Sequence, residues 1–96
     1  MIKGITEKEE TIIKNILNSY SYDFYYYGSR VKGDFTIGSD LDILIKNDKD
    51  IDQRIIDEIS LKFNKSVIPY KVNFSVYSEI SQSFYNLIKN DLVKIQ

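Results

Sequence analysis

The sequence has no histidine and no cysteine among its 96 residues. Without histidine there is no Ser–His or Cys–His catalysis, no histidine general base and no histidine-rich zinc centre. Without cysteine the chain must hold together without disulfides, which suits a reducing compartment. Charge of either sign is also not in excess: 13 basic and 14 acidic residues leave a net charge of −1. That lacks the basic surplus of a protein that lives on a nucleic acid backbone, so direct nucleic acid binding is not expected. No apolar run approaches the ~20 residues needed to span a bilayer, and the N-terminus lacks the basic-then-apolar layout of a signal peptide. The expectation is a cytoplasmic protein that does not enter a membrane. Any chemistry must rest on carboxylates, hydroxyls, lysine, arginine, or a hard metal held by oxygen.

What is present reads as globular. The chain is 43% hydrophobic and 14% aromatic, with four glycines and one proline; disorder needs less apolar content and more net charge. Its length fits a single domain, residues 1–96, with a thin core. Thr6-Glu7-Lys8-Glu9 has the form of a capping box, and Ile12, Ile13, Ile16, Leu17 and Tyr20 follow at helical spacing, predicting a helix from about Thr6 to Ser19. Tyr22 to Tyr27 is rich in aromatics and reads as a strand ended by Gly28. Asp40 to Ile45 reads as a second strand, and Ile51, Ile55, Ile56, Ile59 and Phe63 mark a second long helix. Lys71 to Tyr77 alternates, with Val72, Phe74 and Val76 on one face and Asn73, Ser75 and Tyr77 on the other. Ser81 can cap a last helix, with Ile80 and Tyr85 placed as a hydrophobic staple. Helices between short strands imply an α/β domain.

Two short patterns bear on chemistry. In "DLDILI", residues 40–45, Asp40 and Asp42 share a face of the strand, with α-carbons roughly 6.5–7 Å apart. Adjacent carboxylates raise each other's pKa unless a cation sits between them, and magnesium takes such oxygen ligands. Taken alone, the pair is more often merely solvated. Gly28-Ser29 ends the preceding strand and turns into a short helix, a geometry whose free N–H groups bind phosphate. Arg30 and Lys32 add positive charge to that turn. Taken alone, a Gly-Ser is most often an ordinary turn. Together the two patterns place a phosphate cradle ten residues before two carboxylates, and phosphates and their magnesium ions need those parts close together. Tyr25, Tyr26 and Tyr27 could stack on bases, but with no basic stripe beside them they read better as split between core and sheet surface.

"YGSRVKGDFTIGSDLDILI" resembles the signature of the DNA polymerase β-type nucleotidyltransferases: Gly-Ser, ten residues, Asp-x-Asp. The Gly-Ser-Arg start and the small size are similar to the minimal nucleotidyltransferases, the MNT proteins, and "VIPYKVNFSVYSEISQSFYNLIKNDLVKIQ" resembles their C-terminal part. The resemblance covers about Tyr22 to Gln96 and implies a palm-like nucleotidyltransferase core, a short mixed sheet flanked by helices. It implies that Gly28, Ser29 and Arg30 hold the triphosphate of ATP or another NTP, and that Asp40 and Asp42 bind magnesium. The implied reaction is attack of a hydroxyl on the α-phosphate with release of pyrophosphate. Two metal ions about 3.5–4 Å apart would stabilise the attacking and leaving oxygens. It also implies a partner: MNT proteins are commonly paired with a helical HEPN-domain protein, silencing a HEPN ribonuclease by AMP transfer in a toxin–antitoxin pair, so a hetero-oligomer is expected.

One position departs from that pattern. The family carries a third carboxylate on the third strand, where this chain has Asn73. An amide can reach the site but cannot act as a base. Asp34 and Glu79 are the nearby carboxylates, and neither is on the right strand. Two readings therefore stand side by side: an active magnesium-dependent nucleotidyltransferase that modifies a protein or RNA hydroxyl, or a weak or inactive nucleotide-binding module that neutralises its HEPN partner by binding.

Overall fold

The computed structural model describes residues 4–34, 36 and 38–95; Phe35 and Ile37, inside the motif quoted above, lie outside that set. Helix α1 spans Glu7–Leu17. The expected capping box is formed: Thr6 Oγ1 accepts from Glu9 N and Glu9 Oε1 accepts from Thr6 N, both at 3.1 Å. The helix stops short of Ser19, with Asn18 as its C-cap; asparagine and serine side chains compete for backbone hydrogen bonds and weaken a helix end. Strand β1 is Asp23–Tyr27, one residue shorter than expected. The short helix α2, Ser29–Lys32, follows directly.

Strand β2 is Leu41–Lys46, so Asp40 precedes the strand instead of opening it. Helix α3 is Gln53–Asn64, capped by Asp52; Ile51, expected inside it, lies just before the cap. Strand β3 is Val72–Val76, and Tyr77 turns away into a short 3-10 helix, Tyr77–Glu79. Helix α4, Gln82–Ile88, is capped by Ser81 as expected, and Ile80 and Tyr85 pack on the same small cluster. A last two-residue strand β4, Val93–Lys94, carries no sequence signal; two residues are too few to show alternation.

The four strands form one mixed sheet in the order β3-β2-β1-β4. β1 runs antiparallel to β2 and β4, while β2 and β3 are parallel, joined through α3. Period-2 alternation divides the sheet between two covers. On one face Phe24, Tyr26, Leu41, Ile43 and Ile45 pack with Ile13 and Leu17 of α1 and Ile59 and Phe63 of α3. On the other, Tyr27, Leu44 and Ile88 form a smaller cluster with Phe84 and Tyr85. The three tyrosines of β1 divide accordingly. Tyr26 is buried in the main core and its hydroxyl donates to Glu10 Oε2 at 2.6 Å; Tyr25 and Tyr27 lie on the α4 side. Among the described residues no helix is long and apolar enough to cross a membrane.

Candidate active site

Strand register brings the predicted residues to one end of the sheet. Asp42 pairs with Asn73 on the β3 side and with Tyr27 on the β1 side. All three residues face the α4 side, but α4 covers only the far part of that face, over Leu44. Asp42 is therefore half-buried and Asp40 exposed.

Asn73 lies between the two acids. Its Nδ2 donates to Asp40 Oδ2 at 2.9 Å and to Asp42 Oδ1 at 3.3 Å. The Asp42 carboxyl is held above its ordinary pKa, first by burial and then by the Asp40 charge, with the Asn73 hydrogen bond opposing both. Tyr27 forms the floor. Its hydroxyl shares a 2.9 Å hydrogen bond with Ser75 Oγ, and burial together with the Asp42 charge pushes its pKa up against that bond.

Gly28 closes the site from the β1 side. Its φ of 87° lies in the left-handed region that favours glycine. A Cβ there would collide with Asp42 Oδ2. The glycine thus serves two needs, a reversal into α2 and an approach to Asp42 that no side chain permits. From it α2 starts, with the N–H groups of Val31 and Lys32 both closing on Gly28 O at 3.1 Å. The first N–H groups of such a turn, beginning at Ser29, have no intrahelical acceptor.

Arg30 departs from expectation. The resemblance implies that it holds the triphosphate, yet the residue is 2% exposed. Nε and Nη2 donate to Ser39 O at 3.1 and 2.9 Å, Nη1 donates to Gly4 O at 2.9 Å, and the guanidinium lies 4.1 Å from the Tyr70 ring centre. A guanidinium so engaged is part of the frame and does not reach out to a phosphate. Lys32, on the exposed side of α2, has its ammonium 3.9 Å from Asp91. Tyr27, Ser75 and the inward turn of Arg30 were missed by sequence reasoning. The alternation from Tyr25 does put Tyr27 on the Asp42 face; nothing local marks Arg30 as buried.

The oxygen donors suit a hard cation. Two carboxylates, one of them half-buried beside a like charge, gain from one, and the Asn73 amide adds a neutral oxygen if it turns. Among the described residues no group of three carboxylates could share a metal, so neither Asp34 nor Glu79 joins the pair.

A sequence profile described as "Nucleotidyltransferase domain" matches residues 9–95. The chain is also 32% identical over 94 residues to a Haemophilus influenzae protein named "Probable protein adenylyltransferase MntA", covering 96% of this chain and 82% of that one. The chain belongs to the nucleotidyltransferase domain family. The mixed sheet with its flanking helices is consistent with the nucleotidyltransferase fold, and family membership makes the chemistry a nucleotidyl transfer. The Gly28-Ser29 turn and the Asp40–Asp42 pair are the parts of this nucleotidyltransferase that match the two halves of the expected signature.

Proposed function

We propose that this nucleotidyltransferase transfers AMP from ATP to a hydroxyl of a partner protein, with magnesium at Asp40 and Asp42. The observation that carries the reading is the meeting of Asp40, Asp42 and Asn73 at the mouth of the Gly28-Ser29 turn. Gly28 and Ser29 receive the triphosphate, since a helix-opening turn with a glycine lets phosphate approach backbone N–H groups closely. Magnesium, when bound, offsets phosphate charge and polarises the attacked phosphorus. With no histidine and an amide at position 73, the side-chain bases in this cluster are the two carboxylates. The Haemophilus relative, named as a probable protein adenylyltransferase, favours AMP as the group moved and a protein as its acceptor. The resemblance to MNT proteins makes the partner a helical HEPN-domain protein, silenced in a hetero-oligomer as toxin by antitoxin. A cytoplasmic setting suits a chain without cysteine.

Asn73 favours a second reading. Its amide holds both carboxylates, and a site without a third charge turns over weakly, leaving neutralisation to binding alone. The test is to copurify the partner from the native host, supply labelled ATP with magnesium, and follow pyrophosphate release and label on the partner. The Asp42→Asn protein is the blank. Label above the blank supports transfer. A stable complex without label supports the binding module. A partnerless monomer without turnover defeats both.

A further inference from the structure

We propose that Arg30 is the positioning residue that sets the geometry of the Asp40–Asp42–Asn73 cluster. Asp40 precedes the β2 ladder and is exposed, so the sheet alone does not orient it. Both of its flanking peptide planes are nonetheless pinned. The Ser39–Asp40 peptide is held through its carbonyl, which takes two N–H bonds from the Arg30 guanidinium; because a peptide is planar, fixing that oxygen fixes the nitrogen of Asp40. The Asp40–Leu41 peptide is held through its N–H, which donates to Lys71 O at 2.8 Å.

The same guanidinium ties the other site elements together. It rests on the ring of Tyr70, the residue before Lys71 on the approach to β3 and Asn73. The Tyr70 hydroxyl donates in turn to Glu9 Oε1 at 3.2 Å, anchoring that approach to α1. Nη1 reaches Gly4 O on the segment leading into α1. Its own backbone belongs to α2, whose first turn abuts Asp42 through Gly28. One side chain therefore spans the turn before α2, the approach to β2 and the approach to β3. A buried cation is costly unless oxygen atoms surround it, and a lysine ammonium has no planar fork with which to make these contacts.

The test uses the full chain as Arg30→Lys and Arg30→Met, with Tyr70→Leu as a milder variant that keeps the guanidinium and removes its aromatic floor. Ile16→Ala, on α1, is the control for destabilisation alone. Two readouts are taken beside urea midpoints. The first is the Asn73 side-chain amide resonance without metal, which reports the two hydrogen bonds directly. The second is manganese affinity by titration, which rests on the metal reading above. Both Arg30 variants are expected to move the Asn73 amide toward the shifts of a free asparagine. They should also weaken manganese binding about 10–100-fold, as loss of residues that orient metal ligands does. Tyr70→Leu should act in the same sense but less, and Ile16→Ala should change neither. Arg30 variants that lose stability yet keep both readouts at wild-type values would overturn the proposal. Should neither Arg30 variant fold, an unchanged Asn73 amide in Tyr70→Leu overturns it, and a shifted one supports it. If wild type binds no manganese, the metal reading fails, while the amide resonance still decides the role of Arg30.

Discussion

One face of the sheet ends in two different ways. At one end Leu44 is sealed, packed with Tyr27 and with Ile88 of α4. Beyond it, the ammonium of Lys46 lies 3.0 Å from the Tyr85 hydroxyl and near the faces of Tyr25 and Tyr77. At the other end Asp42, two residues earlier on the same strand and face, lies outside the cluster that α4 covers and shares Asn73 with Asp40. The closed end is held by apolar area and aromatic contact; the open end is held by hydrogen bonds from one neutral amide to two carboxyl groups. Coverage by a single seven-residue helix closes one end and leaves the other, where the proposed site lies, open.

The largest way to break this contrast is at the acids. Asp40→Asn with Asp42→Asn should cut nucleotidyl transfer by about 10²–10³-fold, the several kcal/mol a bound metal supplies, while the metal-free protein melts no lower than wild type. Turnover and melting measured on one preparation check both halves. The converse change is Ile88→Ala at the closed end. It should cost about 2–3 kcal/mol of stability by opening a cavity and leave the KM for ATP unchanged; urea unfolding beside steady-state kinetics reads it. Gly28→Ala belongs to both ends of the argument, since it should cost about 1–3 kcal/mol in backbone strain and also displace Asp42. Loss of magnesium-dependent ATP binding beyond the loss of stability, read by calorimetry, would show the second effect.

Asn73→Asp sharpens the comparison by making the open end more polar still. Volume hardly changes, but a third carboxylate adds repulsion. The metal-free variant should be slightly less stable than wild type, and magnesium should reverse the order by binding the folded state. Transfer should rise by about tenfold or more, the low end of what a positioned base adds. Denaturation with and without magnesium, and pyrophosphate release, give the answer.

The smallest effect is in acid–base linkage. The folded Asp42 carboxyl sits above its ordinary value, chiefly through burial. As pH rises, the unfolded chain therefore ionises first, and the metal-free protein loses some stability between the ordinary carboxylate value and the higher folded one. Below the ordinary value both states are protonated and nothing is lost. Asp42→Asn should flatten that part of the stability–pH curve. A curve identical to wild type would mean that folding does not raise the Asp42 carboxyl pKa.

Much of this was legible along the chain. The Thr6-x-x-Glu9 box and the Ser81 cap are local signals, since their hydrogen bonds span three residues. The alternation put Asp40 and Asp42 on one face of their strand, and Asn73 on the face of its strand opposite Val72, Phe74 and Val76, because strand side chains have a period of two whatever the partner strand. Strand ends were less legible. Whether Asp40 joins the ladder depends on whether β3 reaches that far, and β3 begins opposite Leu41.

What the sequence by itself determined is the family, the two halves of the Gly28-Ser29 and Asp40–Asp42 signature, and the absence of a charge at position 73. Each is a matter of residue type and spacing within a short stretch. Only the tertiary structure decided what Arg30 does. In the sequence it is a cation beside a phosphate turn, and no local rule distinguishes an arginine that reaches outward from one that turns in. Its fate was settled by oxygen atoms supplied from far along the chain, Ser39 O and Gly4 O, and by the face of Tyr70. A guanidinium goes where fixed acceptors can replace the water it loses, and the positions of those acceptors exist only once the strands have paired.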